Sequence, residues 1–155
     1  MADHQTTLRF LAEPTDVNFG GKVHGGAVMK WIDQAGYACA VNWCKQYAVT
    51  VYVGGIRFFK PVFIGNLVEI RARLVYTGSS SMHIAVDVFS KKPQDAEYVK
   101  NTHCMIIFVA VGNDGQPVNV PPFVPSSDEE KRLQEYAVRL MNLRKDIEQE
   151  MKEFY

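Results

Sequence analysis

Residues 18–44, NFGGKVHGGAVMKWIDQAGYACAVNWC, constrain the fold more than any other stretch. A loop carrying Gly20, Gly21, Gly25 and Gly26 runs into a segment that is apolar at Ala27, Val28, Met29, Trp31, Ile32, Ala35, Ala38, Cys39, Ala40, Val41 and Trp43. A helix that is hydrophobic on nearly every side is normally buried. Asp33 stands in the middle of this one. A carboxylate taken out of water is normally paired, protonated or catalytic, because leaving it alone there is costly. The sequence therefore predicts a central, fully covered helix with an enclosed Asp33, and Gly36 leaving space beside it.

Such a helix needs a sheet long enough to cover it. A first short strand is predicted at 6–11, ended by Glu13-Pro14-Thr15-Asp16, since proline cannot donate to a ladder. After the helix, 48–60 alternates as a long strand, and Gly54-Gly55 marks a bulge within it. Residues 67–76 alternate with Val68, Ile70, Ala72, Leu74 and Tyr76 on one face. Residues 82–89 place Met82, Ile84, Val86 and Val88 opposite His83, Ala85, Asp87 and Phe89, and a last strand covers 98–111. The short turns between these strands dictate antiparallel pairing. The expectation is an α+β fold: a long five-stranded antiparallel sheet wrapped around one central helix. The sheet would keep an open edge, which pairing with a second copy would cover.

Residues 1–125 are read as this domain and 126–155 as a C-terminal amphipathic helix. Ser127, with Glu130 three residues on, is a capping pattern, and Leu133, Leu140, Ile147 and Phe154 recur every seven residues. That helix is expected to pack on its own domain or on a neighbouring protomer.

The 155 residues carry 17 basic and 17 acidic side chains, which gives no support for a nucleic-acid partner. No apolar run reaches the length of a membrane span. The opening MADHQTTLRF shows no basic region followed by an apolar stretch, so no signal peptide is expected. Cys39, Cys44 and Cys104 lie in apolar surroundings without a CxxC pattern or a nearby His cluster. They read as reduced core residues of a cytoplasmic protein, with no metal site.

The candidate chemistry gathers at the helix. The first amides at Gly25 and Gly26 have no intrahelical partner, and the helix dipole favours negative charge there. They could receive a developing oxyanion. Asn18 could orient a water or a carbonyl, and His24 could act as a base or simply cap the helix. Arg57, Lys60, Lys91 and Lys92, with the Ser79, Ser80 and Ser81 hydroxyls, could hold a phosphorylated ligand. No GxSxG elbow is present, so a hydrolase built from this inventory would activate water.

Taken together, the chain resembles the hotdog-fold acyl-CoA thioesterases, the brain-type cytosolic acyl-CoA hydrolases and their small bacterial relatives. The resemblance rests on Asp16-Val17-Asn18, Val23-His24-Gly25-Gly26, Asp33-Gln34-Ala35-Gly36, Arg57-Phe58-Phe59-Lys60-Pro61-Val62, Ile64-Gly65-Asn66-Leu67-Val68, Tyr76-Thr77-Gly78-Ser79-Ser80-Ser81 and Phe108-Val109-Ala110-Val111. It implies a functional pair at Asn18 and Asp33, with Gly25 and Gly26 polarising the thioester carbonyl. It implies coenzyme A contacts from Arg57, Lys60, Gly78, Ser79, Ser80 and Ser81, with Lys91 a further candidate. Coenzyme A would be part of substrate and product, and no separate cofactor is expected. The site would lie between protomers of a homo-oligomer, a dimer at least, with a trimer of dimers implied by the family. Phe19 departs from the pattern at a variable loop position. An acyl-thioester dehydratase using His24, and a non-catalytic acyl-CoA binder, are the alternative readings.

Overall fold

The computed structural model describes residues 3–18 and 20–155; Met1, Ala2 and the loop residue Phe19 lie outside it. In chain order the elements are β1 (Gln5–Leu11), α1 (Gly25–Cys44), β2 (Ala48–Phe58), β3 (Leu67–Thr77), β4 (Ser81–Lys91), β5 (Val99–Ala110) and α2 (Asp128–Met151). The five strands form one antiparallel sheet in the order β1-β3-β4-β5-β2. The sheet and central helix are those expected from the sequence, and β1 and β2 are its edges.

The alternation along β3 and β4 places Val68, Ile70, Leu74, Ile84 and Val86 under α1, which meets them with Ile32, Ala35, Cys39 and Ala40. Each large aliphatic side chain closed off in this way stabilises the fold by about 1.5–3 kcal/mol. Gly36 faces the sheet. A Cβ there would come within 2.9 Å of the Phe108 ring and 3.1 Å of Ile106. This glycine lets helix and sheet approach closely; it does not open space beside Asp33, as the sequence suggested.

Two further expectations are corrected. The helix is not covered on all sides: Gly26, Met29, Lys30, Asp33, Gln34 and Tyr37 form an exposed stripe. Met29 was read as core because it is apolar, yet it lies with Tyr37 on the exposed face of the helix. A single sheet covers only one side of a helix. Tyr76 also changes face. A bulge between Leu74 and Tyr76 shifts the register, and Tyr76 packs with Val75 in a second cluster on the outer surface.

That second cluster receives α2. Ala137 is buried there against Val75, Ala85 and Met105, flanked by Leu133, Tyr136 and Leu140. Ser127 caps α2 by accepting from the Glu130 amide at 3.1 Å, while Glu130 reaches one residue further back than a capping box requires, to the Ser126 amide at 2.8 Å. The seven-residue seam is only half used: Ile147 is half exposed and Phe154 is 85 % exposed. Gly55 has φ +32°, in the irregular register predicted for the Gly54-Gly55 pair. Cys39, Cys44 and Cys104 are all free and buried.

Candidate active site

Asp33 is exposed in the single chain. It projects from the open stripe of α1 toward the edge strand β2, where the Thr50 hydroxyl donates to Oδ1 at 2.7 Å. No cation pairs with it among the described residues. The enclosed carboxylate of this fold is Glu69, 4 % exposed and held by Arg9 at 2.7 Å and Arg71 at 2.6 Å. Burial alone would raise the Glu69 pKa, but the hydrogen bonds and charges of the two guanidiniums hold it below the usual range. Glu69 is thus a paired structural acid, whereas Asp33 is answered only by a hydroxyl.

The apolar surroundings of Asp33 come from exposed surface. Met29 and Tyr37 flank it on α1, and Val51 and Val53 are exposed along β2. Exposed apolar side chains beside an unpaired sheet edge mark a surface that meets a partner.

At the start of α1, His24 is the N-cap, and its Nδ1 accepts from the Ala27 amide at 3.1 Å. This bond requires an unprotonated Nδ1, so in the neutral ring the proton sits on Nε2. The Gly25 and Gly26 amides have no acceptor among the described residues. They are the free donors that a helix start leaves over.

Asn18 lies in the loop before them. Its Oδ1 accepts from the amides of Gly20 at 2.9 Å and Lys22 at 3.2 Å. Those two donors identify the oxygen, so the side-chain NH₂ is left facing outward. Asn18 can therefore donate to a carbonyl or a water, but its oxygen already holds the turn.

Asn18, Lys22, Gly25, Phe58 and Lys60 line one cleft of about 260 Å³. One wall is pinned by Asn101, a buried residue of β5. Its Nδ2 donates to the carbonyls of Pro61 at 3.0 Å and Lys60 at 3.3 Å. Its Oδ1 accepts from the Ser90 hydroxyl at 2.7 Å, and its backbone oxygen from the Phe59 amide at 2.7 Å. All the polar groups of this one side chain are satisfied, and together they fix where the chain leaves β2.

The remaining candidates fall in two places. Arg57 is exposed, its guanidinium 5.8 Å from the Phe59 ring centroid, at the same end of the sheet as Lys60. Lys91 lies at that end too, but its ammonium donates to the Asp95 carbonyl at 3.1 Å and is held within its own loop. Gly78, Ser79, Ser80 and Ser81 form the β3–β4 turn at the other end, about 30 Å away along a strand of this length. There the Gly78 amide bonds to Ser81 O at 3.0 Å, and Ser79 O accepts from Val120 at 2.9 Å. One chain does not bring this turn to the cleft.

Nor does one chain bring Asp33 to the glycine amides. Gly26 and Asp33 are seven residues apart on one helix, about 10 Å along its axis. Sequence reasoning passed over Thr50, Lys22 and Asn101. Thr50 was one polar member of an alternating strand. Asn101 had a usable signal, since asparagine is depleted in strand interiors and usually has a specific polar reason to be there.

Three comparisons bear on this geometry. The model of the thioesterase superfamily matches residues 20–97. The acyl-CoA thioester hydrolase YciA of Salmonella typhimurium is 37 % identical over 121 residues, covering 76 % of this chain and 90 % of its own. Among solved structures, an acyl-CoA hydrolase from Staphylococcus aureus in complex with butyryl coenzyme A, coenzyme A and coenzyme A disulfide superposes with a TM-score of 0.89. It is 26 % identical, and the match covers 96 % of this chain and 91 % of that one. The same S. aureus enzyme has been solved with an aspartate, an asparagine and a threonine each replaced by alanine. The hexameric thioesterase y2039 from Yersinia pestis is 37 % identical over 74 % of this chain and 93 % of its own, with a TM-score of 0.69.

Proposed function

The chain belongs to the thioesterase superfamily, and from that premise we propose that it hydrolyses acyl-CoA to a free carboxylate and coenzyme A at a site shared by two protomers. The observation that carries this reading is the 2.7 Å hydrogen bond from Thr50 to Asp33. In the S. aureus hydrolase the replaced asparagine, aspartate and threonine follow one another at the same intervals as Asn18, Asp33 and Thr50 here.

The chemistry follows from the donors and acceptors available. Thr50 fixes Oδ1 of Asp33, leaving Oδ2 to take a proton from the attacking water and pass it to the leaving sulfur. Alternatively, Oδ2 attacks the thioester directly and forms a mixed anhydride, which water then hydrolyses to the free acid and Asp33, while the sulfur takes its proton from water. The Gly25 and Gly26 amides polarise the thioester carbonyl, with the Asn18 NH₂ as a third donor. Attack breaks the C–S bond, and the sulfur leaves as the thiol of coenzyme A after taking up a proton. Because Asp33 lies about 10 Å from the amides of its own helix, the carboxylate of one protomer serves the glycine turn of another. The exposed apolar zone around Asp33 and the open edge of β2 are the surfaces that would meet.

Lys60 and Lys22 at the cleft, with Arg57 at the same end of the sheet, are the cations for the coenzyme A phosphates. The Gly78–Ser81 turn would come from another copy, and the hexameric Yersinia pestis thioesterase supports a trimer of dimers as the assembly. Buried free thiols favour a cytoplasmic setting. The dehydratase alternative is weakened because His24 carries its proton on Nε2 and uses Nδ1 as a cap.

The test is thiol release from a panel of acyl-CoAs from acetyl to palmitoyl. Hydrolysis of part of the panel is expected. Binding of coenzyme A without thiol release from any ester would replace this reading with that of a non-catalytic binder.

A further inference from the structure

The outer surface of the sheet carries a second cavity, on the opposite side from α1. It has about 150 Å³ between α2 and strands β2, β4 and β5, and it opens to solvent beside Leu143 and Ile147, which are half exposed. A single buried water needs roughly a tenth of that space. Its walls are apolar, chiefly Met105, Ile107, Leu140, Leu143 and Ile147.

Two polar side chains enter it. His83 is 3 % exposed and makes no side-chain hydrogen bond among the described residues; its ring meets that of Tyr76 at a steep angle, 5.0 Å between centroids. The ring lines the cavity and can be reached from it, so its polar atoms are available to an occupant. Burial, reinforced by the charge of Arg144, pushes the His83 pKa down to about 4, so the ring is neutral at pH 7, with one N–H to donate. Arg144 of α2 is the second group. Its Nε is buried without a hydrogen bond, 3.2 Å from the Glu148 carboxylate but outside bonding geometry. Its guanidinium stands 5.1 Å from the Tyr52 ring centroid.

We propose that this cavity is a binding site for a fatty carboxylate, with the head group between Arg144 and His83 and the alkyl chain along Leu140, Leu143 and Ile147. A guanidinium fork matches a carboxylate in geometry and charge, a neutral imidazole adds one donor, and the walls suit only an alkyl tail. Glu148 beside Arg144 restricts the site to a single negative charge, which disfavours phosphate head groups. A free fatty acid is also the product released by the proposed hydrolysis. Its role as a product held away from the reacting centre rests on that reading, but its binding does not.

The experiment is an octanoate titration of the full-length protein, as wild type and as Asp33→Asn, followed through the His83 ring resonances by NMR. A saturable shift of those resonances is expected in both proteins. Arg144→Gln should weaken binding roughly tenfold or more, the value of a charge-assisted hydrogen bond, and Arg144→Lys should recover part of it. Octanol, with the same chain and no carboxylate, should not bind. Unmoved His83 resonances, equal affinity in Arg144→Gln, or equal binding of octanol would each overturn the proposal. So would octanoate binding that appears only when the oligomer dissociates, because the cavity would then be covered by a second copy. Thiol release is measured separately, so loss of either result leaves the other standing.

Discussion

Thr50 on the edge strand β2 holds Asp33 on the open stripe of α1 through a single 2.7 Å hydrogen bond, and no cation shares that carboxylate among the described residues. The two residues are 17 apart in sequence and belong to different elements. Removing the acid should therefore be far more damaging than removing the hydroxyl. Asp33→Asn is expected to lower thiol release by about 10²-fold or more, in the range general-base catalysis supplies. Thr50→Val should cost about tenfold, and Thr50→Ser should restore most of it. Steady-state assays on a responsive acyl-CoA check this; near-wild-type turnover in Asp33→Asn would remove Asp33 from the mechanism.

Asn101 predicts a different signature. Asn101→Leu leaves the Ser90 hydroxyl and the Lys60 and Pro61 carbonyls without their partner. Stability should fall by about 2–3 kcal/mol, read as a lower denaturant midpoint. The released segment carries Lys60, so KM for acyl-CoA should rise more than kcat falls. A variant that loses kcat alone would show that this wall does not govern binding.

Gly36 gives a test confined to packing. Its Cβ position lies against Phe108 and Ile106, both 1 % exposed. Gly36→Ala should destabilise the protein by about 1–3 kcal/mol, as overpacking of a filled core does. Thermal unfolding measures it. An unchanged midpoint would mean that helix and sheet can separate without cost.

His83 makes stability depend on pH. Its folded pKa of about 4 lies below the ordinary 6.5, so the unfolded chain binds the proton more readily. The contribution is complete above pH 6.5 and is lost progressively as pH falls toward 4, on the order of 3 kcal/mol in all. The His83→Gln variant should show a flatter fall in stability across that window. Parallel curves for the two proteins would show that His83 titrates normally.

The three thiols should resist modification. Burial pushes Cys39 up to about 12 and Cys104 up to about 11, which leaves almost no thiolate at neutral pH. Native protein should react with an aromatic disulfide reagent far more slowly than urea-unfolded protein. Rapid labelling of the native state would contradict the burial.

The strands were legible because alternation with period two survives in β3 and β4, where each face meets a different layer. The burial of α1 was misread because Met29 is apolar, and composition cannot distinguish a core position from a surface awaiting a partner. The sequence pointed to Asp33, but for the wrong environment: the enclosed acid is Glu69, and its two arginines come from β1 and β3. Asn18, Gly25 and Lys60 line one cleft, which their separation along the chain does not reveal. Thr50 was missed because it matters through a partner 17 residues away on another element; Asn101 carried a signal, an asparagine within a strand, but not the identity of its partners at Lys60 and Pro61.

The span between Gly26 and Asp33 has a genetic corollary under the proposed arrangement. Each polypeptide would contribute its acid to one reaction chamber and its amide cradle to another. Co-expressing an acid-defective copy with a cradle-defective copy should then regenerate one working chamber in every mixed pair, although neither copy works among its own kind.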